Sequence, residues 1–166
     1  MEPTDDAADC AASLADLLAT LTFTGQSTDE VTRLLADTVV AWGQAQGWKV
    51  YRRAASVTRL PPPYEHQHSF LDVACARTGG KPLVIEIDHT DRRRTIDKLL
   101  AEAAAGRIPI WVRWGSRAFA APPEPIQMVT MPVTTQRGLH TRLTDLPVPE
   151  HSAVDVEDAE QPDLFT

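Results

Sequence analysis

The chain has 166 residues, 43% of them hydrophobic and 23% charged, with a net charge of −7 and a pI near 5.1; this is about one domain, with enough apolar material for a core. Cys10 and Cys75 are too few and too far apart for a disulfide framework or a CxxC zinc site. No apolar run approaches the roughly 20 residues needed to span a bilayer, and the acidic start argues against a secretory or transit peptide, so a soluble, cytoplasmic protein is expected.

Residues 1–26 form an acidic segment in which Leu14, Leu17, Leu18 and Leu21 fall at helical spacing over 8–23. Ser27 stands three residues before Glu30, a capping-box pattern, and a second helix is predicted over 28–46 with Val31, Leu34, Leu35, Thr38 and Trp42 on one face. Gly47 ends it, and the period changes. Residues 48–53 alternate large apolar with basic side chains and read as a strand. Beyond a Pro-rich bend, strands are predicted over 69–76 and 83–88, joined through Gly79-Gly80 as a hairpin. A third helix follows over 92–105, capped by Thr90 or Asp91, with Ile96, Leu99, Leu100, Ala103 and Ala104 facing inward and the apolar face centred near Ile96, Leu100 and Ala103. Strands over 108–114 and 126–133 complete an α-α-β-β-β-α-β-β order, which calls for an α/β sandwich. From 143 onward Pro and acids dominate without periodicity, so a disordered acidic tail is expected there.

The charge is segregated along this order. All sixteen Lys and Arg lie between Arg33 and Arg142 together with nine acids, which leaves that segment at +7, while residues 1–30 and 143–166 each carry seven acids and no base. A basic middle is the electrostatic footprint of an anionic partner, and solubility is the plainer purpose of acidic ends.

Three acids stand in apolar strands. Asp72 lies within Phe70-Leu71-Asp72-Val73, and Glu86 and Asp88 lie within Val84-Ile85-Glu86-Ile87-Asp88. Strand residues two apart share a face, so Glu86 and Asp88 are side by side, and a hairpin brings Asp72 opposite them. Carboxylates among Leu, Val and Ile are costly unless a positive group compensates, and a hard divalent cation is one such group. There is no GxGxxG or GxxxxGK[ST] pattern, so nucleotide binding by those routes is unsupported.

This arrangement resembles the PD-(D/E)XK, or restriction endonuclease-like, nuclease superfamily. The likeness runs from about Ser27 to Trp114, through Trp48-Lys49-Val50, Leu71-Asp72-Val73, Ile85-Glu86-Ile87-Asp88 and Ile108-Pro109-Ile110-Trp111-Val112. It implies an α-β-β-β-α-β core sandwich over 27–142, with an added N-terminal helix. It also implies metal-dependent endonuclease hydrolysis of DNA phosphodiester bonds, in repair, restriction or defence. Asp72 and Glu86 would bind Mg²⁺ or Mn²⁺, and Asp88 would hold a second ion or orient the attacking water. Asp88 stands where that family carries Lys. Some members move the lysine to the following helix, where this chain has Lys98, but the helical phase above turns Lys98 to solvent, beside Glu102 at i+4. A catalytically inactive DNA-binding or interaction module on the same fold is therefore the alternative.

Arg92, Arg93 and Arg94 open the third helix, and Arg52 and Arg53 lie on the first core strand; all five are candidate DNA contacts. Glu30 and Asp37 read as solvated helix residues, and His66 and His68 as a polar loop. The ending Gln161-Pro162-Asp163-Leu164-Phe165-Thr166 resembles the short peptide by which bacterial DNA enzymes dock on the replicative sliding clamp, with Gln161, Leu164 and Phe165 as its anchors. The clamp and a second copy of the chain join DNA as expected partners.

Overall fold

A computed structural model describes residues 5–144. The expected disordered tail and its docking residues Gln161, Leu164 and Phe165 lie outside the described residues. Helix α1 (Asp6–Leu18) is followed by β1 (Phe23–Gln26), α2 (Thr28–Ala45), β2 (Lys49–Arg59), β3 (His68–Ala76), β4 (Leu83–Asp88), α3 (Arg93–Ala104) and β5 (Ile108–Gly115). Three further strands close the series: β6 (Gln127–Pro132), β7 (Thr134–Gln136) and β8 (Leu139–Arg142).

The architecture is mixed α/β. A five-stranded sheet has the order β2-β3-β4-β5-β6, antiparallel from β2 to β4 and parallel from β4 to β6. Helix α3 is the crossover between the parallel neighbours β4 and β5, and it packs on one face of the sheet, its Leu99 against Leu71, Val84, Trp111 and Ile126. Helices α1 and α2 cover the other face, where Leu14, Leu18, Val31, Leu35, Val39 and Trp42 meet Val73, Ile85, Ile110, Trp114 and Met131. Strand β5 is buried along its whole length because both faces are covered and both edges are paired. No described helix is long and apolar enough to cross a membrane.

Helix α2 starts as its sequence dictates: the Ser27 hydroxyl accepts from the Glu30 N–H at 3.1 Å, and the Glu30 carboxylate accepts from the Ser27 N–H at 2.9 Å. Its buried residues are Val31, Leu35, Val39, Trp42 and Gly43. Helix α1 is fastened to the body by Arg77, just past β3, whose guanidinium donates to both oxygens of Asp6 at 2.6 and 3.0 Å and lies 5.2 Å from the Trp48 ring centroid.

Two expectations are corrected. The first helix ends at Leu18, not near Phe23, and Phe23 begins β1. In addition, β1, β8 and β7 form a second, three-stranded sheet that the sequence reading lacked. Phe23 pairs with Arg142, so β1 exists only through a partner at the far end of the domain, and its residues Phe23-Thr24-Gly25-Gln26 carry no alternation to announce it. The small sheet leans on α2 through His140, which meets the Thr28 hydroxyl at 2.9 Å and the Thr135 hydroxyl at 2.8 Å.

Candidate active site

Strands β3 and β4 pair through Cys75↔Leu83, Ala74↔Val84 and Val73↔Ile85, and there the ladder stops. Asp72 and Glu86 are next in register, and their side chains enter the gap. The Glu86 carboxylate accepts from the Asp72 N–H at 3.3 Å, and the Asp72 carboxylate accepts from the Ile87 N–H at 2.8 Å. Each acid thus takes up a backbone donor that a continuing ladder would have paired. The alternation of β3 also changes here. Leu71 packs on the α3 side and Val73 on the α2 side, although an unbroken strand would place both on one face. At the same level of β2, Arg53 adopts φ +52°, in the left-handed region.

The opening is a cleft of about 480 Å³ whose floor holds Asp72, Glu86, Asp88 and Lys98. Its walls come from the first turns of α2 (Thr28, Asp29, Thr32) and α3 (Arg92, Thr95), with Phe70 and His89 completing the rim. Beside it lies a second hollow of about 450 Å³, lined by Arg92, Arg93, Arg94, Thr95 and Lys98. The two share Arg92, Thr95 and Lys98, so an acidic floor runs directly into a basic wall.

Lys98 overturns the expected helical phase. Its ammonium donates to a Glu86 oxygen and, at 2.7 Å, to the Phe70 carbonyl, and its side chain is only 13% exposed. It does not lie in solvent beside Glu102. The fully buried residues of α3 are Thr95, Leu99 and Glu102; of the expected inward set only Leu99 is among them, Ile96 and Leu100 are half-buried, and the centre of the buried face lies about 100° from the expected one. Polar residues took the inward places because each has a buried partner. Thr95 donates to Asp88 at 2.8 Å, and Glu102 accepts from the Ser56 hydroxyl and the Val57 N–H, both at 2.7 Å. With that rotation Lys98 stands about 60° from the centre of the inward face, near enough to reach Glu86.

Glu86 is 5% exposed. Burial, together with the facing carboxylate of Asp72, pushes its carboxyl up to about 8, while Lys98 pulls the other way. The Asp72–Glu86 pair therefore has a place for one proton or one cation. Asp88 does not join them as a third open carboxylate. One of its oxygens accepts from the Thr95 hydroxyl and, at 2.9 Å, from the Trp111 indole N–H, and the other faces Arg92 at 3.8 Å. Among the described residues no three His, Cys, Asp or Glu side chains cluster as a metal cage. A cation here would rest on two carboxylates, with water and substrate oxygens completing its shell, which is a donor set that suits Mg²⁺ or Mn²⁺.

The basic candidates divide. Arg92 borders both hollows, Arg93 is 3.3 Å from Asp97, and Arg94 is exposed on the second hollow. Neither Thr90 nor Asp91 caps α3; Arg92 stands at the cap position with no side-chain bond, and Asp91 instead pairs with the buried Arg113. Arg52 turns to Asp37 on α2 at 2.6 Å, and Arg53 lies over the Phe70 ring. Glu30 is held in its capping box, and the α2 acid that reaches the cleft is its neighbour Asp29, which the sequence reading passed over. Phe70, Thr95 and Trp111 carry no sequence signal as site residues, because each reads locally as strand or helix filler. The chain has no significant match among family models, curated proteins or solved structures.

Proposed function

We propose that the chain is a metal-dependent endonuclease that hydrolyses DNA phosphodiester bonds in the β3–β4 cleft. One observation carries the reading: two facing carboxylates, Asp72 and Glu86, and one ammonium, Lys98, converge where the ladder opens, beside a wall of arginines. The element order α2-β2-β3-β4-α3-β5 supports the resemblance to PD-(D/E)XK nucleases, with the lysine carried by α3.

Asp72 and Glu86 would hold the divalent cation, which when bound supplies charge neutralisation at the phosphate and a water of lowered pKa. Glu86 must give up its proton for this, and the Lys98 ammonium favours the ionised form. Lys98 presents positive charge where the phosphorane oxygens gain negative charge, and the Phe70 carbonyl fixes its direction. Arg92 binds the adjacent phosphate and sets the register of the strand. Asp88 holds Thr95 and Trp111 and so positions the turn of α3 that carries Lys98.

The second reading is a catalytically inactive DNA-binding module. The ion pair itself favours it, since Lys98 already occupies one Glu86 oxygen. Under either reading, Gln161, Leu164 and Phe165 would recruit the protein to the sliding clamp. One experiment separates the two. The purified chain is incubated with single-stranded, duplex and branched DNA in Mg²⁺, Mn²⁺ or EDTA. Metal-dependent cleavage, abolished by Asp72→Ala and by Glu86→Ala, supports the nuclease; binding without cleavage in every metal supports the module.

A further inference from the structure

The structure points to an unpaired strand as the nucleic acid that enters this cleft: we infer that a nucleobase stacks on Phe70 while its phosphate faces Asp72 and Glu86. The inference rests on the phosphodiester reading above and adds the strand state of the substrate.

Phe70 alternates with the buried Ser69 and Leu71, is itself 49% exposed, and lines the cleft. A half-exposed aromatic on a strand is unremarkable alone. Two contacts and one backbone feature make this one specific. Its own carbonyl anchors the Lys98 ammonium at 2.7 Å, so the ring and the charge beside Glu86 hang on the same residue. The guanidinium of Arg53 lies 5.1 Å from the ring centroid, a cation–π contact that adds positive charge beside the ring. Arg53 also holds φ +52°, a conformation that non-glycine residues adopt at a cost. The rim thus carries an aromatic face backed by a cation, beside the carboxylates of the cleft, and aromatic faces flanked by positive charge are how proteins hold single strands without reading their sequence.

A paired base cannot use such a face, because in a duplex both of its own faces are stacked on neighbours. A base in a single strand, or at a frayed end, has a face free. The cleft of about 480 Å³ lies within the range of small-ligand sites, and the adjoining arginine hollow takes the next phosphate across Arg92.

The test uses the full chain and its Phe70→Ala and Phe70→Trp variants. Fluorescence anisotropy measures binding of one short oligonucleotide, single-stranded and as its duplex, in EDTA so that no cleavage intervenes. A single-stranded probe with 2-aminopurine reports stacking directly. Phe70→Ala is expected to weaken single-strand binding by about tenfold or more, the effect of one lost base stack, and to abolish the 2-aminopurine quenching. Duplex binding is expected to change by less than about twofold, and Phe70→Trp to restore both single-strand signals. Equal losses on single and double strands, or unchanged quenching in Phe70→Ala, overturn the inference and leave the phosphodiester reading standing. Failure of the unaltered chain to bind either form overturns both.

Discussion

Glu86→Gln should make this protein more stable, by an amount that grows with pH. The carboxyl is buried, and it moves from its ordinary value of 4.5 up to about 8. The unfolded chain releases this proton near 4.5, whereas the folded chain holds it to about 8, so folding takes up a proton anywhere between. Stability from this group is therefore fully present below about pH 4.5 and is lost as the pH rises through about 8. Each pH unit in that window costs up to about 1.4 kcal/mol, and the whole window sets a ceiling of about 5 kcal/mol. Rearrangement and water entry around the ionised carboxylate lower this figure, so about 2 kcal/mol is expected at the alkaline end. Glutamine imitates the protonated acid in shape and hydrogen bonding but never ionises. Urea unfolding of the full chain and the variant, near pH 5 and again above pH 8, measures the difference. The variants should nearly coincide at the acid end and separate at the alkaline end, through the midpoint and not the slope. Mg²⁺ should narrow the gap by stabilising only the unaltered chain. A constant difference across pH, or a variant less stable above pH 8, would show that Glu86 is not held protonated by its surroundings.

The remaining predictions concern neighbouring groups. Lys98→Met should lower single-turnover DNA cleavage by about a hundredfold or more, the effect of losing one preorganised donor; a loss below about twofold would remove Lys98 from the reaction. Replacing Arg92, Arg93 and Arg94 with Gln should reduce the log–log salt slope of duplex binding by up to about 0.9 per lost phosphate contact, and an unchanged slope at unchanged affinity would remove them from the interface. Glu102→Ala strips the partner from Ser56 and Val57 in a buried place and should cost about 3 kcal/mol in urea unfolding. A loss under about 1 kcal/mol would mean that water replaces the carboxylate there.

What the sequence revealed and what it hid follow one physical division. Signals carried within a few residues were legible: the Ser27–Glu30 box, the Val31-Leu35-Trp42 stripe, the Gly79-Gly80 hairpin and the wholly apolar β5 all compete with nothing distant. The acids of β3 and β4 were legible because a charge in an apolar strand violates the local pattern. Features that depend on a partner far along the chain were not. Strand β1 requires β8, and the phase of α3 requires Asp88, Ser56 and Val57, whose bonds turn Thr95 and Glu102 inward and leave Ile96 and Leu100 half-buried. Phe70 was hidden for a related reason: its place at the cleft follows from the end of the β3–β4 ladder, where Asp72 and Glu86 meet across two strands.

That dependence gives Asp88 a different part from the one its position suggests. It stands where the resembling family carries Lys, and in this chain it binds a helix. Thr95 and Lys98 are three residues apart on α3, about one turn, so the Asp88–Thr95 bond fixes the rotation that brings Lys98 to Glu86. Trp111, donating to the same oxygen from β5, fixes Asp88 in turn. If Asp88 works only through that turn, its removal and the removal of Lys98 abolish the same interaction, and their effects cannot multiply. The expected cycle is therefore non-additive: Asp88→Ala lowers cleavage by about tenfold or more, Lys98→Met by about a hundredfold or more, and the double variant falls no further than Lys98→Met alone. Asp88→Ala also leaves the Thr95 hydroxyl and the Trp111 indole without their shared acceptor, so it should cost about 1–3 kcal/mol in urea unfolding. Single-turnover rates for the four proteins decide the matter. Losses that multiply in the double variant would place Asp88 at the reacting atoms, holding an ion or orienting water, and would refute the chain of contacts from Trp111 through Thr95 to Lys98.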